Sequence, residues 1–184
     1  ARIFTTPDGG PNGVSRLNSL FFEDFENLNF FGRWDLTNND LVLDYSTTSP
    51  LVDTFNYIRS GYNNGAWNGP GLNSSHAASA VGPTLALGYA EANAVLTSFP
   101  TSFVGQTVDA TTVLVRFTLA GDADLGGAVN LDDFTRLAAD FGSTNSVWSR
   151  GDFNYDKTVN LDDFTALAAN FGLVLATDLP RGSA

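Results

Sequence analysis

Two acidic segments, thirty residues apart, carry oxygen-bearing side chains at the spacing of a cation-binding loop. The first runs Gly121-Asp122-Ala123-Asp124-Leu125-Gly126-Gly127-Ala128-Val129-Asn130-Leu131-Asp132-Asp133-Phe134. The second runs Gly151-Asp152-Phe153-Asn154-Tyr155-Asp156-Lys157-Thr158-Val159-Asn160-Leu161-Asp162-Asp163-Phe164. A twelve-residue loop wraps a calcium ion when oxygens fall at positions 1, 3, 5, 7, 9 and 12, with position 7 using its backbone carbonyl. Loop 1 offers Asp122, Asp124, the Ala128 carbonyl, Asn130 and Asp133, and has Gly126 where a fifth-position side chain would stand. Loop 2 offers a complete set: Asp152, Asn154, Asp156, the Thr158 carbonyl, Asn160 and Asp163. At the sharp turn of position 6, Gly127 suits loop 1, whereas Lys157 in loop 2 costs roughly 1 kcal/mol in a left-handed conformation. Loop 2 is expected to bind more tightly, with a water filling the gap in loop 1, and two Ca2+ ions are expected in all. Without a cation the carboxylates of each loop repel one another, so binding and folding are linked.

Each loop must be held by the element that follows it. Residues 129–142 and 159–172 differ at two positions only, Arg136 against Ala166 and Asp140 against Asn170. Phe134, Leu137, Ala138 and Phe141 recur at helical spacing, as do Phe164, Leu167, Ala168 and Phe171. Gly142 and Gly172 end the two helices. Each is too short to be stable alone. They are expected to pack antiparallel, burying four phenylalanines and two leucines, with Trp148 covering one end.

Upstream the chain reads differently. Residues 1–19 suggest an extended arm with Ile3-Phe4 as its apolar anchor. Residues 20–45 read as strands, with Asn38-Asn39-Asp40 as a turn. Ser49-Pro50 starts a helix whose face is Leu51, Phe55 and Ile58, and Gly61 stops it. Residues 61–83 read as loop. Strands are expected at 84–90 and 113–119, the second of which enters Gly121-Asp122 without a linker, so the two parts should be coupled rigidly. The expected organisation is an arm over 1–19, a β-rich domain over 20–120, a calcium-binding domain over 121–175 and a tail over 176–184. The expected fold class is α+β, a β-rich N-terminal domain with one short helix followed by a small all-α pair of calcium loop-helix motifs.

Composition narrows the function. The 184 residues carry a net charge of -11, which repels nucleic acid and anionic lipid and suits divalent cations. There is no cysteine and a single histidine, His76, so thiolate and multi-histidine metal sites are excluded. No apolar run is long enough for membrane insertion. A chain that starts at Ala1 and lacks methionine reads as a secreted protein freed of its signal peptide. Ser74-Ser75-His76 lacks the orienting carboxylate of a triad and reads as a surface loop. Tyr62 and Trp67 read as buried anchors of their loop rather than as a sugar platform. Asn73-Ser74-Ser75 is an N-glycosylation acceptor, which makes Asn73 the candidate glycan site. No catalytic constellation emerges, and the chain is read as a non-enzyme.

Residues 121–172 resemble a type I dockerin domain, with two calcium loops, each followed by one helix and with aspartate at position 12. The resemblance implies calcium at Asp122, Asp124, Asn130 and Asp133, and at Asp152, Asn154, Asp156, Asn160 and Asp163. It also implies docking of a cohesin partner through helix faces. Gly126 and Lys157 depart from that pattern, and Phe-Thr-Arg/Ala-Leu-Ala-Ala replaces the Ser/Thr pair of cellulosomal recognition. The stretches Asp35–Tyr45, Ser60–Gly71 and Leu114–Asp122 resemble C-terminal regions of large secreted bacterial surface proteins, which implies an extracellular or cell-surface location. The expected function is a secreted, calcium-binding structural subunit of a fibril or surface layer. Its copies would form a homo-oligomer or filament by N-terminal strand addition, with Ile3 and Phe4 in the next subunit. The alternative is a dockerin-type module that docks a β-rich adaptor or cargo to a cohesin-like protein.

Overall fold

The computed structural model describes residues 2–4, 13–24, 30–82 and 84–175. Its strands are β1 (Arg2–Phe4), β2 (Val14–Leu17), β3 (Glu23–Asp24), β4 (Phe30–Phe31), β5 (Arg33–Asp35), β6 (Asp40–Asp44), β7 (Gly71–Asn73), β8 (Leu85–Glu91), β9 (Thr101–Phe103), β10 (Gln106–Val108) and β11 (Thr112–Leu119). Its α-helices are α1 (Leu51–Tyr62), α2 (Ser75–Ser79), α3 (Ala92–Val95), α4 (Leu131–Asp140) and α5 (Leu161–Asn170).

The central sheet has the order β2-β6-β11-β8. β-Branched and aromatic residues make β11 its longest strand, antiparallel to β6 on one side and to β8 on the other. Consecutive residues of β8 and β11 are buried, so both faces of the sheet are covered. A second sheet, β1-β5-β7, is wholly parallel. Thus Arg2–Phe4, the one described part of the expected arm before residue 13, pairs with β5 of its own chain. Residues 1 and 5–12 of that arm lie outside the described residues, as does the tail from residue 176.

Helix α1 begins one residue after Pro50, and Ser49 Oγ accepts the Leu51 amide at 3.1 Å. The helix runs past Gly61 and closes at Asn63, a left-handed residue whose amide reaches the Arg59 carbonyl. Gly61 is therefore not a stop signal. A Cβ there would overlap the Leu72 carbonyl oxygen, so the glycine lets α1 lie directly on β7. Gly61→Ala is expected to lower stability by about 3 kcal/mol and Tm by about 10 °C, because backbone cannot yield as a side chain does. Thermal unfolding at the wild-type temperature would mean that α1 tolerates a shift off β7.

The expected loop at 61–83 contains β7 and α2, the latter capped by Ser74 Oγ, which accepts the Ala77 amide at 2.9 Å. The turn at Asn38-Asn39-Asp40 joins strands of different sheets. Buried Asp40 accepts the Phe117 amide at 2.8 Å and so bolts that turn to β11. Burial pushes the Asp40 carboxyl up to about 7, against the lowering pull of the Phe117 amide and Arg116. The folded state thus holds this proton more tightly than the unfolded chain, whose carboxyl titrates at 3.8. The resulting stability is fully present below about pH 4 and is lost as pH rises through about 7. Wild type in saturating calcium should therefore lose on the order of 3 kcal/mol between pH 4 and 8 that Asp40→Asn does not lose. Chemical denaturation across that range checks it; parallel pH profiles would refute it.

The expected all-α pair is not formed. The structure is mixed α/β, with five short α-helices dispersed among the sheets of the described residues. Phe134 and Phe164 meet at 6.4 Å but are 37% and 39% exposed, and Phe141 and Phe171 are each 52% exposed. Only Leu137 and Leu167 of the expected apolar faces are buried, which is too little to build a core between two ten-residue helices. The anchors lie in the loops and their connection instead. Leu125, Val129, Trp148, Phe153, Tyr155 and Val159 are buried in the same hydrophobic cluster as β8 and β11. Trp148, expected at one end, is completely enclosed and stacks on Tyr155 at 5.5 Å.

Candidate metal centres

The two loops are held in a reciprocal arrangement. Val129 of loop 1 pairs with the chain leaving α5: its amide reaches the Leu173 carbonyl at 3.0 Å, and its carbonyl accepts the Gly172 amide at 2.8 Å. Val159 of loop 2 pairs with the chain leaving α4, through the Ser143 carbonyl at 3.1 Å and the Gly142 amide at 2.8 Å. The glycine before each loop permits this crossing. A Cβ on Gly121 would lie 2.8 Å from Leu167 Cα, and one on Gly151 would lie 2.9 Å from Leu137 Cα. Each loop is thus built on the helix of the other.

In loop 1, Asp122, Asp124 and Asp133 converge, their ligand oxygens lying within 4.8 Å of one another. Asp122 accepts the amides of Gly126 and Gly127, both at 2.9 Å, and the Thr118 hydroxyl. Asp133 Oδ1 accepts the Ala123 amide at 2.8 Å and the Asp124 amide at 3.1 Å; its Oδ2 accepts the Asn130 amide at 2.8 Å. Loop 2 repeats these bonds. Asp152 accepts the Asp156 and Lys157 amides, both at 3.1 Å, and Asp163 accepts those of Phe153, Asn154 and Asn160. Asn154 and Asp156 are joined through Nδ2 and Oδ2 at 3.0 Å.

The backbones match as well. Position 4 is left-handed in both loops, at Leu125 (φ 60°) and Tyr155 (φ 61°), and so is position 6, at Gly127 (φ 85°) and Lys157 (φ 73°). Lys157 therefore takes the strained conformation the spacing predicts. Its ammonium lies 4.7 Å from the centre of the Phe55 ring, where it gains a cation–π contact.

Not every expected ligand faces the cluster alone. Asn130 and Asn160 are N-caps of α4 and α5, their Oδ1 atoms accepting the Asp132 and Asp162 amides at 2.7 Å. Ala128 and Thr158 form single bridges, to Val174 and Thr144. The hydrogen bonds of these bridges come from the flanking residues, as in Leu175 N to Gly127 O at 2.7 Å and Val159 N to Ser143 O at 3.1 Å.

Asp122, Asp133, Asp152 and Asp163 have no solvent exposure. Among the described residues none of them makes a salt bridge; the pairs present are Arg16–Asp44 and Arg150–Asp140. Burial pushes Asp122 and Asp152 up to about 7, and repulsion from Asp133 and Asp163, respectively, adds to it. Burial raises Asp133 and Asp163 as well. Two enclosed like charges per loop are costly unless a cation joins them. The donors are all oxygen, which fits a hard divalent ion and not zinc or copper.

Asn73, the expected glycan acceptor, is completely buried in β7, and its Nδ2 donates to the Gly69 carbonyl at 2.9 Å. An attached sugar needs that nitrogen free and exposed, so the fold removes this candidate. Further supports tie the loops to distant parts of the chain. Trp148 Nε1 donates to the Asp122 carbonyl at 2.7 Å, Tyr155 OH donates to the Leu87 carbonyl at 3.1 Å, and Arg116 donates to the Leu125 carbonyl. The one local signal was that Arg116 and Thr118, two residues apart on a strand, share a face.

Compared with family models, curated proteins and solved structures, the chain has no match.

Proposed function

We propose that both loops bind Ca2+ and that the ions lock the repeat onto the central sheet, making the chain a calcium-stabilised structural module of an extracellular assembly. The observation that carries this reading is the enclosure, in each loop, of the position-1 and position-12 carboxylates, none of which makes a salt bridge among the described residues; the one nearby cation, Arg116, pulls Asp122 down but is outweighed by burial. Asp122, Asp124 and Asp133 hold loop 1; Asp152, Asn154, Asp156 and Asp163 hold loop 2. The ion supplies positive charge and fixed coordination; the chain's amides orient the carboxylates before it arrives. Loops with one missing ligand or one strained residue suit weak sites, filled where calcium is abundant, as it is outside cells. Assembly by strand addition would exchange the β1–β5 pairing within the chain for the same pairing with a neighbour.

Isothermal titration of chelator-treated protein should show two Ca2+ per chain, and calcium should raise Tm by about 10 °C, as expected for ligand-linked folding. Unchanged melting in chelator and in calcium would overturn the reading. A second reading, docking to a cohesin-like partner, is favoured by the exposure of Leu131, Phe141, Leu161 and Phe171 on the two helices. A calcium-dependent complex with a purified cohesin domain, lost in Phe141→Asp/Phe171→Asp, would establish it; equal binding by that variant would reject it.

A further inference from the structure

A polar cleft of about 480 Å³ separates the C-terminal end of α1 from loop 2. We propose that it binds a neutral oligosaccharide and that loop 2 forms one of its walls, so that its affinity depends on calcium. The second half of this inference rests on the function proposed above; the first half does not.

Three features argue for the ligand class. The cleft is rich in carboxamides, Asn63, Asn64 and Asn154, beside the ring of Tyr62, which is half-buried, unlike Trp67, and so not the enclosed anchor expected of it. A carboxamide donates and accepts at once, which matches a sugar hydroxyl, and an aromatic ring offers a sugar face an apolar contact. The charged lining residues are Arg59 and Asp156, and Asp156 is a loop-2 calcium ligand in the function proposed above. An anionic ligand would meet a chain of net charge -11, which favours a neutral one. The volume lies in the range of small-molecule sites.

The walls are pre-set. Asn63 and Asn64 are both left-handed, at φ 43° and 54°, although closing α1 needs only the first. Asn63 Nδ2 is tied to Asn68 Oδ1 at 2.7 Å. Tyr62 also lines a neighbouring apolar cleft of about 310 Å³ with Trp67 and Phe153, and Asn154 borders both, so the groove continues past the ring. Tyr62 leans on Tyr155 at 4.8 Å, directly beside the loop-2 ligands. Asn154 and Asp156, which line the cleft, are positions 3 and 5 of loop 2. Whatever fixes that loop fixes this wall.

The test is isothermal titration of the full chain with neutral hexasaccharides of β-1,4-glucose, α-1,4-glucose and β-1,4-N-acetylglucosamine, in calcium and in chelator. The variants are Asn64→Gly, which removes an amide at a left-handed position where glycine is at ease, and Arg59→Met. At least one hexasaccharide is expected to bind at about micromolar to millimolar Kd in calcium, with roughly tenfold loss in either variant. Calcium stoichiometry and Tm should not change in the variants. Absence of binding by all three probes, or full binding by both variants, would overturn the site. Binding that is lost in the variants but equal in chelator would keep the cleft and overturn its dependence on loop 2. If calcium itself fails to bind, the function proposed above falls and the cleft is judged by the variants alone.

Discussion

Asp163→Ala is expected to abolish calcium binding at loop 2 and to lower stability in calcium by about 4 kcal/mol, the largest effect of any single loop substitution. The carboxylate is fully enclosed and accepts three amides: Phe153 at 2.7 Å, Asn154 at 3.3 Å and Asn160 at 2.9 Å. Alanine orphans all three and removes the position-12 ligand and the reciprocal cap of α5. Asp163→Asn separates these roles. It loses one acceptor but also the like charge that raises Asp152. Its Tm in chelator should therefore lie within a few degrees of wild type, while the calcium-induced rise shrinks and loop-2 affinity falls about 100-fold. If Asp163→Asn gains as much Tm from calcium as wild type does, the ion is bound elsewhere.

The second large effect is expected at Gly88, in the middle of β8. A Cβ there would lie 2.6 Å from both Leu125 Cδ2 and Trp148 Nε1, and 2.9 Å from Trp148 Cε2. The indole is completely buried and bonded to the Asp122 carbonyl at 2.7 Å. It has nowhere to go without leaving Tyr155, on which it stacks, or Phe153, whose ring lies at 5.1 Å. Gly88→Ala should cost about 3 kcal/mol. Because Leu125 is position 4 and Asp122 position 1 of loop 1, calcium affinity should fall more at loop 1 than at loop 2. Denaturation with calcium titration of both loops checks this. Equal weakening of the two would show that the contact with the sheet supports the whole repeat rather than its first loop.

If the proposed function holds, calcium acts on this chain's stability through the contacts of the loops with the sheet. The amides of Gly126, Gly127, Asp156 and Lys157 already point at Asp122 and Asp152. Trp148 and Tyr155 tie those loops to β8. An ion that neutralises the enclosed carboxylates would stiffen the sheet attachment as well as the loop.

Much was legible because it is local. The spacing of carboxylates at 122, 124 and 133 predicts their convergence, since twelve residues with left-handed turns bring them together without help from elsewhere. Helices after Asn130 and Asn160 follow from the cap and the position-12 aspartate, which form reciprocal capping bonds within one turn. The strand at 112–119 follows from its β-branched run. Other outcomes depended on partners far along the chain. Phe134 and Phe171 read as core at helical spacing, yet among the described residues they stay partly exposed, and Leu125 and Tyr155 inside the loops meet β8 instead. Gly61 reads as a helix stop until Leu72 is seen beneath it. Asn73 reads as an exposed acceptor until β7 is paired with β5 and enclosed. Sequence alone determined where the carboxylates gather in loop 1 and where the two repeat helices begin, because those bonds close within a dozen residues. Tertiary structure decided which apolar face is buried and what the loops lean on, because burial depends on what arrives from the rest of the chain.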